Sequence, residues 1–303
     1  MTAGRDKLIR FYKGTEGEET VIRLVDLAEQ AVRTQKFRLS GFLDPYGAEI
    51  AETVAANYDG LTVGFDGGYP RAERQRAAFC HEDFGGRPDF SIAAVRVEWN
   101  DAFLRLTHRD VLGALMGLGM DRATTGDILV SAGSAKLLTD KKMAAFLVEH
   151  LTSIGATSVE ATREDLQNIV PREERTKDIR ATVASLRVDA VAAAGFGMSR
   201  SRAAADIEAD KLKLNWQSVK NAAQSLKEGD MLSLRGRGRV EVVAISGQTK
   251  KGQMALELGD LSVETLAKEL HCSRKIAMEN KLRYQDFFNE EGLLPALLAY
   301  YGQ

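Results

Sequence analysis

The chain has 303 residues, 44% of them hydrophobic and 28% charged, with a formal net charge of -2, enough for two or three compact domains with ordinary cores. No apolar run approaches the ~20 residues that span a bilayer. The polar start Met1-Thr2-Ala3-Gly4-Arg5-Asp6-Lys7 lacks the form of a secretory signal, so a cytoplasmic protein without membrane contact is expected. Cys80 and Cys272 stand far apart at no metal-ligand spacing, which points away from a disulfide framework or a zinc site.

Residues 1–85 read as a helical, loop-rich region. Leu8, Ile9, Phe11 and Tyr12, then Val21, Ile22, Leu24, Val25, Leu27 and Ala28, recur at helical spacing. After Phe42-Leu43-Asp44-Pro45, residues 48–58 form a further helix with Glu49 and Glu52 toward its start. Phe65-Asp66-Gly67-Gly68-Tyr69-Pro70 marks a loop through its glycine pair and proline.

Residues 86–170 change pattern. Residues 91–99 read as a strand, and Thr107 N-caps a helix running through Met116, with Asp110 as a short version of the capping-box glutamate. Residues 126–130 and 135–139 form a hairpin around Ser131-Ala132-Gly133-Ser134, residues 141–153 a helix and 158–162 a last strand. The order βαββαβ is ferredoxin-like, the arrangement of RNA-recognition modules. Those modules stack bases on aromatics of their central strands, and neither hairpin strand here carries one. Residues 169–175, charged and proline-bearing, read as an interdomain linker.

The next segment, 178–252, is basic. Residues 175–252 hold 15 Lys/Arg against 8 Asp/Glu, a surplus that the whole-chain charge hides. Residues 181–194 read as a helix broken by Gly195-Phe196-Gly197, and Ser199 N-caps a second helix over 200–209. Residues 211–215 alternate like a half-buried strand, Gly229-Asp230 turns the chain into 231–234, and 240–245 is another strand. Arg200 and Arg202 sit in a helix first turn, where cations oppose the macrodipole unless a phosphate is bound. Arg235-Gly236-Arg237-Gly238-Arg239 spaces arginines by two, so an extended chain would aim all three to one side. Together these features point to an RNA-backbone site. Residues 253–303 read as an acidic helical extension suited to packing or partner binding rather than DNA contact.

Several stretches of this segment resemble the S4-like RNA-binding domain: Leu186-Arg187-Val188-Asp189, Ser199-Arg200-Ser201-Arg202, Lys211-Leu212-Lys213-Leu214-Asn215, Gly229-Asp230 and the arginine run at 235–239. The first half resembles one S4-bearing family, YlmH. It does so through Phe42-Leu43-Asp44-Pro45, residues 65–70 with Ala72-Glu73-Arg74, residues 106–110 with Leu112-Gly113-Ala114, Gly117-Leu118-Gly119, and Gly126-Asp127-Ile128-Leu129-Val130. The resemblance implies docking on structured ribosomal and transfer RNA at the large ribosomal subunit, rescue of stalled nascent-chain complexes, and a link to bacterial cell division. Carried onto this chain, the RNA contacts are Arg187, Ser199, Arg200, Arg202, Lys213, Asn215, Arg235, Arg237 and Arg239. Trp216 departs from the small residue usual after the Asn, which implies an altered turn. The resemblance ends near residue 250.

Catalysis is not expected. His108 and Asp110 stand two apart on a helix and do not face each other, and His81, His150 and His271 have no partner at useful spacing. Gly113, Gly117 and Gly119 lack phosphate-loop spacing, so no nucleotide or other cofactor is expected. The expectation is an α+β, multidomain, monomeric, non-enzymatic RNA-binding protein. An RNA-modifying enzyme with an S4-like targeting domain, or a cell-division adaptor, are the alternatives.

Overall fold

The computed structural model describes residues 2–100, 105–170, 177–248 and 253–260. The chain forms two compact units, Met1–Glu174 with Ile207–Asn221, and Arg175–Asp206 with the segment from Ala222 onward.

The first unit starts with helices α1 (Thr2–Tyr12) and α2 (Glu18–Thr34). Val21, Leu24, Val25, Ala28 and Ala31 follow the i, i+3, i+4, i+7 pattern and are all buried, so α2 turns one apolar stripe inward. Strand β1 (Phe37–Leu43) leads into α3 (Pro45–Ala55). The Leu43-Asp44-Pro45 sequence explains that start: Asp44 accepts the Gly47 N–H at 2.8 Å, and proline at the first helical position forfeits only an orphan donor. Strands β2 (Leu61–Asp66) and β3 (Gln75–His81) complete an antiparallel sheet ordered β1-β3-β2. The two periodic runs fall in α1 and α2, the third helix starts and ends earlier than the expected 48–58, and the sheet is an addition that the sequence reading does not assign.

Strand β4 (Ile92–Glu98), helix α4 (His108–Gly117), the hairpin β5 (Thr125–Ser131) and β6 (Ser134–Asp140), and helix α5 (Lys141–His150) follow. The two-residue strands β7 (Ser153–Ile154) and β8 (Thr157–Ser158) form a small hairpin before β9 (Glu160–Glu164). The sheet order β5-β6-β4-β9, antiparallel throughout, is the ferredoxin-like order. The capping box forms as expected, with the Asp110 carboxylate accepting the Thr107 N–H at 2.8 Å. Val95, Val97, Leu137 and Ile128 pack on the helix side with Val111, Leu115 and Leu147. Ile169, expected in a linker, is buried in this unit, and 171–175 lie outside the described residues.

The second unit holds β10 (Lys177–Val183), α6 (Val188–Gly195), and α7, whose full span is Arg200–Glu208. The hairpin β11 (Leu212–Leu214) and β12 (Gln217–Ser218) belongs to the first unit by compactness. Strands β13 (Met231–Leu234), β14 (Gly238–Gln248) and β15 (Met254–Asp260) extend the second unit in the order β10-β15-β14-β13. Three expectations are corrected. Residues 181–183 are strand rather than helix, because the alternation from Ile179 to Val183 pairs with β15. Residues 254–260 are strand rather than the start of a helical extension, held between β10 and β14. Residues 235–237 form a hairpin turn rather than an extended run, as Gly236 and Gly238, at φ +82° and +97°, fold β13 back onto β14. Residues 261–303, where the remaining helical expectation falls, lie outside the described residues.

Candidate nucleic-acid interface

Two buried aspartates organise the arginines of the second unit. Asp189 sits in the first turn of α6, where the macrodipole favours an anion, and its side chain is only 8% exposed. Arg187, just before that helix, donates Nε and Nη2 to its two oxygens, each at 3.1 Å. Arg200, at the start of α7, donates Nε at 3.0 Å and Nη2 at 3.3 Å to the same carboxylate. Burial alone would raise the Asp189 carboxyl, but hydrogen bonds from Arg187 and Arg200 outweigh it and hold the group below its ordinary value.

Arg202 donates Nε to buried Asp206 one turn on, at 3.1 Å. Ser199 caps α7 by accepting the Arg202 N–H at 3.2 Å. That backbone donor is therefore occupied, and a phosphate at this helix start would be met chiefly by the two guanidinium groups. Arg237 donates Nη1 to the Phe196 carbonyl at 3.1 Å, tying the β13–β14 turn to the C-terminal end of α6. Arg235 and Arg237 are exposed at that turn, and Arg239 lies beyond it on β14, opposite Ser233. The expected set is thus brought together around α6, α7 and one hairpin, but the 235–239 arginines are spread around a turn instead of sharing one side.

Lys213 and Asn215 lie on the β11–β12 hairpin of the first unit. Lys213 Nζ donates to Glu16 at 3.1 Å, and the same glutamate accepts the Ser218 N–H at 3.1 Å. Asn215 and Trp216 occupy the turn with φ +47° and +64°. Trp216 therefore keeps the left-handed backbone that glycine would adopt freely, so the turn is not opened by the larger residue. Its indole Nε1 donates to Glu73 at 3.4 Å.

The ferredoxin-like sheet is closed on the face that RNA-recognition modules use. Ala94 and Leu138 on that face are buried with Ile169, and Tyr69, Ile92, Leu129 and Leu166 pack on them. Absence of aromatics in β5 and β6 was legible; the covering residues were not.

A second cluster escaped the sequence reading as a unit. Arg74 donates Nε to the Thr125 carbonyl at 3.0 Å and Nη2 to those of Phe42 and Arg122 at 2.8 and 3.1 Å. Burial, and then the neighbouring Arg122, pull Arg74 down to about 10, still charged at neutral pH. Asp127 accepts from the Tyr69 hydroxyl and from the Glu73 and Arg74 N–H groups. A Cβ on Gly126 would lie 2.7 Å from the Phe42 ring and 2.9 Å from Leu138 Cβ. The motifs of the first half therefore weld the β1-β3-β2 sheet to the ferredoxin-like sheet.

Comparison with known proteins covers most of these elements. Family models match residues 16–84 (YlmH, N-terminal), 86–168 (putative RNA-binding domain in YlmH) and 186–232 (S4 domain). Over 219 residues the chain is 37% identical to ribosome-associated protein quality control protein P2 of Bacillus subtilis, covering 71% of this chain and 84% of that one. The chain belongs to the YlmH family. A UPF0246 protein of Phocaeicola vulgatus shares 38% identity over 74 residues, 23% of this chain and 29% of its own length. A solved structure, the cell division protein ylmH from Streptococcus pneumoniae, aligns with 52% of this chain and 95% of its own at 21% identity and a TM-score of 0.45. The S4 match of this YlmH-family chain spans Arg187, Arg200, Arg202, Lys213 and Asn215, and ends before the 235–239 arginines.

Proposed function

We propose that this protein is a monomeric, cytoplasmic, non-enzymatic factor that docks on structured rRNA and tRNA of the large ribosomal subunit, acting in rescue of stalled nascent-chain complexes. The observation that carries the reading is the set of guanidinium groups presented at α6 and α7 within the S4 match, with Arg237 on the β13–β14 turn just beyond it. Planar, forked donors of that kind suit phosphate oxygens. The Bacillus subtilis relative, named for ribosome-associated protein quality control, supports a ribosomal target. The non-enzymatic reading is supported by Asp110, whose carboxylate is occupied by the Thr107 hydroxyl and N–H.

Co-sedimentation with purified ribosomal subunits tests this, comparing wild type with a folded Arg200→Glu, Arg202→Glu, Arg237→Glu variant. Wild type should pellet with the large subunit and the variant should not; equal binding by both overturns the reading. Affinity should also fall with salt at a log–log slope of several units, for roughly 5–8 phosphate contacts.

A further inference from the structure

Asp189 and Asp206 are each 8% exposed in their side chains, and a buried carboxylate is costly unless paired. Their partners are surface groups: the Arg187, Arg200 and Arg202 side chains are 40%, 50% and 62% exposed. Exposed ends of that kind return little stability. The aspartates also cancel part of the positive charge of a module that otherwise accumulates it. Long-range attraction for RNA would be served as well by a neutral side chain.

What the carboxylates supply is orientation. A guanidinium has five N–H donors in a rigid fork. Arg187 and Arg200 each give Asp189 the Nε and Nη2 edge, so one carboxylate fixes two planes relative to each other. Nη1 and one further N–H on each remain for a phosphate. Arg202 is tethered to Asp206 through Nε.

We infer that Asp189 and Asp206 are positioning residues for RNA, holding the arginines of α6 and α7 in their binding orientation before RNA arrives. The inference rests on the RNA-docking reading above. It predicts the opposite sign from simple electrostatics: neutralising either carboxylate adds one unit of positive charge, yet should weaken recognition of structured RNA.

The experiment uses the full chain as wild type, Asp189→Asn and Asp206→Asn. Binding is measured to purified large ribosomal subunits and, as an unstructured probe, to poly(U) at the same salt. Each variant should lose about tenfold or more on the subunits, while poly(U) binding stays level or tightens, since backbone attraction alone tracks charge. A variant that binds the subunits as tightly as wild type overturns the inference and leaves the docking reading standing. Equal loss on both probes would mean a merely structural role and also overturns it. Failure of wild type to bind the subunits defeats the docking reading, and the inference with it.

Should a variant fail to fold, side-chain Nε–Hε relaxation in wild type decides without any substitution. Arg187, Arg200 and Arg202 should be ordered nearly like backbone, and exposed Arg235 should be mobile. Mobility in the first three equal to that of Arg235 overturns the inference.

Discussion

The Tyr69 hydroxyl donates to the Asp127 carboxylate at 2.6 Å, joining the loop after β2 to the strand that starts the ferredoxin-like hairpin. The same carboxylate accepts the Glu73 N–H at 2.8 Å and the Arg74 N–H at 3.1 Å. Asp127→Ala removes both acceptor oxygens and all three hydrogen bonds and strands two backbone donors, for a cost of about 3–5 kcal/mol. Asp127→Asn keeps one carbonyl oxygen and should cost about half as much. Urea unfolding followed by circular dichroism measures both. An alanine variant as stable as wild type would show that the loop is held elsewhere.

Arg76 and Asp140 form an enclosed ion pair, at 2.9 Å with side chains 9% and 19% exposed. Arg76 also donates to the Ser40 and Ser91 carbonyls, and Asp140 caps α5 by accepting the Lys142 N–H at 2.9 Å. Burial lowers the Arg76 pKa and Asp140 opposes that shift. Removing the aspartate leaves a buried cation and an uncapped helix, so Asp140→Ala should cost about 3–5 kcal/mol. In a double-mutant cycle with Arg76→Met, the coupling should exceed about 1 kcal/mol. Additive losses would mean that the two residues act independently.

Local signals were the legible part of this fold. The Thr107–Asp110 box and the hairpin at Ser131–Ser134 each lie within a few residues and formed as read, whereas the helix expected over 48–58 starts earlier, at Pro45 behind an Asp44 cap, and ends at Ala55. Partners far along the chain were not legible. Strand β10 pairs with β15, so the alternation Ile179-Arg180-Ala181-Thr182-Val183 had no visible neighbour and was absorbed into the helix that follows. The turn at Arg235–Arg237 was readable: a short glycine-bearing run between two apolar segments signals a hairpin, but equal arginine spacing invited an extended reading. The arginines of the site were visible from composition and spacing. Their partners, Asp189 and Asp206, looked like ordinary helix aspartates, because burial is a property of packing and not of the residue.

Acid should unfold the protein partly through those carboxylates. Asp189, Asp110, Glu16 and Glu164 are all held below their ordinary values by their hydrogen-bond and charge partners. A depressed folded pKa means that the unfolded state binds more protons, so stability rises with pH across the interval between the two values. The contribution is complete above the unfolded values, about 4 for Asp and Glu, and is lost as pH falls through the folded ones. Thermal melts should therefore show a contribution level from pH 8 to about 5 and falling below about 4. The Asp189→Asn variant should fall less steeply there, and an unchanged slope would remove Asp189 from the set.

Glu16 offers the reverse case to Asp189. Its carboxylate takes the single ammonium of Lys213 and the Ser218 N–H, and the Lys213 side chain is 44% exposed. A lysine ammonium is a point charge on a flexible stem, with no planar fork whose orientation a partner could preserve. Contact with Glu16 therefore competes with any phosphate that Lys213 would meet, rather than preparing for it. Glu16→Gln keeps an acceptor for the Ser218 N–H while removing that competition. Exposed pairs of this kind are worth up to about 1 kcal/mol, so RNA affinity should rise about two- to fivefold, with a correspondingly steeper salt dependence. Titration against large ribosomal subunits at two salt concentrations reads both quantities. A loss of affinity instead would assign Glu16 to holding the β11–β12 hairpin in shape, and Lys213 to a structural rather than an RNA-facing role.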